Sequence, residues 1–167
     1  MRPAEARFRA AFAEWYADIV RFARRRTDPE QAEDIAADTF LAAWRRIGDL
    51  PEDAGDARAW LFGIARNCLL NDRRAERRRD GLRVRLADAT APPPPDTAAD
   101  VAVLRVDLAA AFSRLNPTDQ EVLALVVFER LSSAHVGVVL GLSPGAVRVR
   151  LSRARAALRR GLTSSIP

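Results

Sequence analysis

Six arginines and no acid fall between residues 144 and 160, where apolar residues recur at helical spacing. A guanidinium is a planar, always-charged fork that fits two acceptors on a guanine edge or a phosphate. On a helical wheel Val147, Leu151, Ala154 and Leu158 share one side. Val149, Ser152, Arg153 and Arg160 lie opposite, and Arg148, Arg155 and Arg159 form a flanking row. A second polar set surrounds Asn67 and Asn71, which share a helix face at i and i+4, with Arg66, Arg73 and Arg74 beside them. Amides both donate and accept, so this face suits exposed base edges, and Asn71 serves equally as an ordinary surface amide. Covalent chemistry is poorly supplied. One His, His135, and one Cys, Cys68, cannot build the usual nitrogen and sulfur metal cage, and a lone Cys forms no internal disulfide. No nucleophile–base motif, phosphate loop or acid/His cluster of ligand spacing is visible, so the expectation is no enzyme, no metal and no cofactor.

The elements that must position these groups read as helices throughout. Phe8, Phe12, Trp15, Ile19 and Phe22 recur every three or four residues and define a first helix. TDPEQAED is a start signal: Asp28 caps, Pro29 opens, and Gln31 completes a capping-box spacing. The second helix carries Ile35, Phe40, Trp44 and Ile47 and ends at Gly48 and Pro51. A loop over 48–56 leads to a third helix, with Asp56 as cap and Trp60, Leu61, Ile64, Cys68 and Leu69 as its apolar stripe. Pro92–Pro95, inside DATAPPPPDTAAD, cannot sit in a helix interior and favour an extended, stiff linker. Four short helices follow. The first spans 101–114, Asn116 and Pro117 open the second, Ser132 caps the third, and Ser143 and Pro144 open the last, which Gly161 closes. A short helix, a turn at Gly141 and a longer helix is helix-turn-helix spacing. In that motif the N-terminal part of the second helix meets base edges, which nominates Arg148, Val149, Ser152 and Arg153. Arg155, Arg159 and Arg160 are better placed for phosphates. The fold class is therefore all-α: two small helical domains, 1–80 and 101–163, joined by a Pro-rich linker over 81–100.

Composition agrees with this division. The 167 residues carry 27 basic and 22 acidic side chains, a net charge of +5 that conceals strong segregation. Residues 27–56 sum to −7, 73–85 to +5 and 144–160 to +6. Charge runs are commonly just solvated faces. Two basic runs around an acidic one, with one on a recognition helix, suit DNA and a protein partner instead. Every basic residue is Arg, which a GC-rich genome explains. No apolar run reaches the ~18 residues of a membrane span, and the N-terminus lacks a signal peptide's apolar stretch, so a reduced, cytoplasmic setting is expected.

Three strings together resemble the extracytoplasmic-function (ECF) sigma factors of bacterial RNA polymerase. QAEDIAADTFLAAWRRI resembles the helix that docks on the polymerase clamp. ARAWLFGIARNCLLNDRRAERRR resembles the helix that opens and reads the −10 promoter element. LNPTDQEVLALVVFERLSSAHVGVVLGLSPGAVRVRLSRARAALR resembles the helix-turn-helix that reads the −35 element. The resemblance implies that Glu33, Asp34, Asp38, Phe40 and Trp44 bind polymerase core, although Phe40 and Trp44 also fit a core. It implies that Trp60, Arg66, Asn67, Asn71, Arg73 and Arg74 bind −10 DNA, and that Arg148, Val149, Arg150, Ser152, Arg153, Arg155 and Arg159 bind −35 DNA. The 48–56 loop matches one that holds a flipped base, whose unstacking a pocket must repay. Promoter DNA, polymerase core and an anti-sigma factor are the implied partners. The runner-up is a stand-alone helix-turn-helix regulator. The pattern departs from the family in the helix before the recognition helix. Ser133, Ala134 and His135 replace an aromatic and acids, and Gly137 stands where Ala is usual, which should weaken that helix by roughly 0.5–1 kcal/mol. Ala146 and Val149 replace a Thr and a Ser in the recognition helix, so fewer hydroxyls are available for the −35 element. His135 reads as a surface or capping residue and Cys68 as core.

Overall fold

Proline and short polar side chains set where most of the helices begin. The structure, a computed structural model, describes residues 3–75 and 98–163. Helix α1 spans Pro3–Arg24, α2 Pro29–Arg45 and α3 Ala54–Ala75, with a 3-10 turn over Ile47–Asp49. Then follow α4 (Ala98–Ser113), α5 (Pro117–Val127), α6 (Ser133–Leu140) and α7 (Pro144–Thr163). No strand occurs among the described residues, so the all-α, two-domain expectation holds. The Pro-rich run lies outside the described residues. Helix α4 already begins at Ala98, inside the stretch expected to be linker.

Local chemistry explains most boundaries and corrects some. Asn116 accepts the Asp119 N–H at 2.9 Å, Ser132 accepts the His135 N–H at 3.2 Å, and Ser143 accepts the Ala146 N–H at 3.1 Å. Each ties down one of the amides left orphaned at a helix start. Asp28 occupies the cap position of α2 but makes no side-chain capping bond. Gln31, expected to complete the capping box, instead pairs with Thr27 and donates to Asp72 of α3. At α3 the cap is Asp53, whose Oδ1 accepts the Asp56 N–H at 3.0 Å. Asp56 therefore sits inside the first turn rather than before it. Gly161 does not close α7, which continues to Thr163. A Cβ at Gly161 would lie 2.7 Å from the Ala111 Cβ, so glycine here lets α7 approach α4.

Trp15, Ile19 and Phe22 of α1, Ile35 and Phe40 of α2, and Leu61, Phe62 and Leu69 of α3 pack together. Phe112, Val122, Leu125, Val136, Val147 and Leu151 continue the same buried cluster through α4–α7. Fully burying each large side chain is worth about 1.5–3 kcal/mol. This core holds α3 and α7 rigid beneath their polar faces.

Candidate nucleic-acid and protein interfaces

The recognition helix α7 is seated by Val147, Leu151 and Ala154, all buried as the wheel requires. Its opposite side is open. Arg148, Val149, Ser152, Arg153, Arg155, Arg159 and Arg160 are exposed, and Val149 is an apolar point at 51% exposure. Arg150 differs. Its Nη1 donates to Asp119 Oδ1 at 3.1 Å, which ties it to α5 and away from the reading face. On the wheel Arg150 borders the buried stripe on the side opposite the flanking row of Arg148, Arg155 and Arg159, which brings it toward α5.

Gly141 ends α6 at φ 68°, in the left-handed region where glycine is least strained. The Leu142 N–H then bonds back to the Gly137 carbonyl at 2.9 Å. This folds the turn so closely that a Cβ on Gly137 would lie 2.5 Å from the Leu142 carbonyl oxygen. The glycine that costs helix propensity is the one that admits the turn.

On α3, Asn67 and Asn71 are exposed on one face, while Trp60 and Arg66 are half-buried. Arg46 places its guanidinium 5.7 Å from the centre of the Trp60 ring. The Arg66 Nε is buried without a hydrogen bond among the described residues. The side chains of Arg73 and Arg74 lie outside the described residues. Cys68 is half-buried, and burial pushes its thiol pKa up, opposed in part by a hydrogen bond with Thr39 and reinforced by Asp38.

The acidic helix α2 presents Asp34, Asp38 and Trp44 to solvent, with Trp44 at 43% exposure. Phe40, which the sequence left open between the core and a polymerase contact, is buried. It is 3% exposed and takes the edges of Phe8 and Phe12 at centroid distances of 6.1 and 4.9 Å. Phe12, expected to be buried with the α1 stripe, is half-exposed and joins Trp44 in an aromatic surface strip. Glu33 is exposed but engaged, accepting from the Tyr16 hydroxyl and from Arg24, each at 3.0 Å.

Sequence reasoning missed the junction between the halves. Arg26, just past α1, is 1% exposed and grips Glu121 of α5 with two bonds, Nε to Oε1 at 3.0 Å and Nη2 to Oε2 at 2.9 Å. Its third arm donates to the Phe22 carbonyl at 2.8 Å, and its plane lies 3.7 Å from the Phe22 ring centre. Arg25 pairs with Glu129 at 2.9 Å. Arg58 of α3 donates to the Glu129 carbonyl at 2.7 Å and to Asp18 at 2.9 Å. His135 meets Asp56 at 3.2 Å, its ring lying over Gly55. Burial pushes the Glu129 carboxyl pKa above its ordinary value, despite the opposing charges of Arg25, Arg26 and Arg58. The available signal was an acid at Glu121 amid the apolar run of α5.

No helix among the described residues is long and apolar enough to cross a membrane. The Sigma-70 region 2 family matches residues 11–79, and the Sigma-70 region 4 family matches 105–158. The ECF RNA polymerase sigma factor SigL of Mycobacterium tuberculosis is 35% identical over 157 residues, covering 92% of this chain and 88% of that protein. The RNA polymerase sigma factor CnrH of Cupriavidus metallidurans is 36% identical over 136 residues, covering 75% of this chain and 70% of its own. The solved structure of CnrH with the cytosolic domain of CnrY aligns at a TM-score of 0.64 and 27% identity, covering 97% of this chain and 91% of that one. That of the Bartonella quintana sigma factor RpoE with the anti-sigma factor NepR shares the fold at 0.64, with 24% identity and coverage of 95% and 98%. A stand-alone regulator would account for the second half alone. Both families, in order along one chain, together with relatives spanning nearly its whole length, establish that the protein belongs to the ECF sigma factors of bacterial RNA polymerase.

Proposed function

We propose that residues 1–80 dock on polymerase core and read the −10 element, and that residues 101–163 read the −35 element. The observation that carries this is the open arginine row of α7, braced by a buried stripe one face away. Base-edge contacts fall to Arg148, Val149, Ser152 and Arg153, and phosphate contacts to Arg155 and Arg159. The geometry favours dropping Arg150 from this set, because Asp119 holds it. On α3, Asn67 and Asn71 face the −10 strand, Trp60 stacks, and Arg66, Arg73 and Arg74 hold phosphates. Asp34, Asp38 and Trp44 meet the polymerase, with Glu33 at the margin and Phe40 beneath. The protein works in the cytoplasm and supplies binding energy rather than catalysis. An anti-sigma factor, as in the solved complexes of its relatives, would compete for these faces.

The test is reconstitution. Core polymerase with this protein should start transcripts at a defined promoter set, and Asn67→Ala or Arg153→Ala should reduce them. Failure of the wild-type chain to bind core polymerase refutes the reading.

A further inference from the structure

We propose that Arg7, a residue of α1, is a positioning residue for the −10 site: it fixes the chain segment that flanks Trp60. The proposal rests on the −10 reading of α3 above. Arg7 donates through a single nitrogen, Nη2, to two consecutive carbonyls, Leu50 at 2.7 Å and Pro51 at 2.8 Å. Those carbonyls lie in the connection between α2 and α3. The Asp49 and Leu50 N–H groups bond back to the Arg46 and Ile47 carbonyls and close the 3-10 turn. The chain then runs extended, with Leu50 at φ −62° and ψ 115°, and Pro51 has no N–H to give. Among the described residues no backbone N–H bonds to the Leu50 or Pro51 carbonyl. Arg7 supplies what the backbone does not, and a charged donor makes a stronger hydrogen bond than a neutral one. The Leu50 side chain is buried on the other side, so the segment is gripped from both.

The held segment borders the residue assigned to stacking. Arg46 Nε donates to Asp49 at 3.0 Å, and the Arg46 guanidinium lies 5.7 Å from the centre of the Trp60 ring. Asp53, two residues beyond Pro51, caps the helix that carries Trp60. The segment therefore meets the surroundings of Trp60 at both ends, and Arg7 holds the two carbonyls between them. An aromatic ring and a guanidinium plane are both platforms on which unpaired bases stack. The Arg46–Asp49 pair is exposed, with side chains at 58% and 59%, and such a pair is too weak to hold the segment alone. With Arg7 in place the platform is formed before the strand arrives, and the cost of ordering it is not charged against binding. Arg7 is itself exposed, so water replaces its bonds when it is removed and the fold keeps most of its stability.

The experiment uses the full chain and compares wild type with Arg7→Met and Arg7→Lys. Methionine keeps an apolar stem and removes the donor. A lysine ammonium offers several N–H groups from one nitrogen, as Nη2 does, and can serve both carbonyls. Hydrogen exchange over 46–53 in the free chain reads the segment, and thermal melting reads the fold. Titration reads affinity for the −10 single strand of a promoter mapped by the reconstitution above, intact and with an abasic site at each position in turn. In wild type one position should lose most affinity when its base is removed. In Arg7→Met exchange over 46–53 should rise while Tm barely moves. The contribution of that one base should fall about tenfold, as expected if the competent segment becomes a one-in-ten conformer. Arg7→Lys should recover toward wild type in both readouts.

Unchanged exchange over 46–53 in Arg7→Met overturns the proposal. So does an affinity loss spread equally over all positions, which would mark Arg7 as a phosphate contact, and so does Arg7→Lys behaving as Arg7→Met. The two readings fail differently. A wild type that binds no −10 strand refutes the −10 reading and Arg7's part in it, whereas a wild type that binds the strand no better than Arg7→Met refutes the positioning role alone.

Discussion

Replacing Gly137 with Ala separates two opposed physical effects. By helix propensity alone, Gly137→Ala stabilises α6 by about 0.8–1 kcal/mol. The structure reverses that sign. The new methyl would stand 2.5 Å from the Leu142 carbonyl oxygen, a backbone atom that cannot rotate away. Leu142 is itself fixed, since its N–H bonds to the Gly137 carbonyl and Gly141 holds the left-handed turn before it. Overpacking costs typically 1–3 kcal/mol, and a clash with backbone belongs in the upper part of that range. Subtracting the propensity gain leaves a net loss of about 1–2 kcal/mol. For a chain of this size each kcal/mol lowers Tm by roughly 2–4 °C, so a fall of several degrees is expected. Thermal melting and urea denaturation of the purified chain measure it. The same variant should weaken −35 duplex binding, because the turn aims α7. A Tm that rises by the propensity amount would show that the turn relaxes freely, and the reasoning would be refuted.

Further outcomes follow from the same contacts. Arg153→Ala should cost roughly 1–3 kcal/mol of −35 duplex affinity, whereas Arg150→Ala should change it little and cost at most about 1 kcal/mol of stability through Asp119; equal losses in a duplex titration would contradict the division of the helix. Burial raises the Glu129 carboxyl above its ordinary value of 4.5, so the native state holds that proton more tightly than the unfolded chain. The resulting penalty is absent below the unfolded value and complete above the folded one, so wild type should lose stability relative to Glu129→Gln as pH rises through that window. A pH-independent difference in urea midpoints would rule this out. Cys68, its thiol pushed up by burial, should alkylate more slowly at pH 8 than a free thiol of equal concentration, and iodoacetamide labelling followed by mass spectrometry reads the rate.

Much of the molecule was legible in the chain because its signals are local. A cap needs only a side-chain oxygen three residues before an orphan N–H, and Asn116, Ser132 and Ser143 all serve as expected. Helical spacing likewise gave the buried stripe of α7, because one helix has one wheel. Where two nearby residues could do the same job, local reasoning chose wrongly. Asp53 caps α3 in place of Asp56, and Gln31 finds partners at Thr27 and Asp72 rather than closing a capping box. Phe40 and Trp44 carry the same apolar signal on one helix, and only packing against Phe8 and Phe12 buries the first and leaves the second exposed.

By itself, the sequence determined the all-helical plan, the helix-turn-helix and the placement of arginine on its outer face, since periodicity, caps and charge act within a few residues. The tertiary structure decided which arginines are engaged within the protein. Arg150 goes to Asp119 and Arg26 to Glu121, partners 31 and 95 residues away. It also turned Gly137 from an apparent weakness, and Gly161 from an expected helix end, into points of close approach. An ion pair or a steric contact depends on where two distant segments meet in space, and neither spacing nor propensity along one helix carries that information.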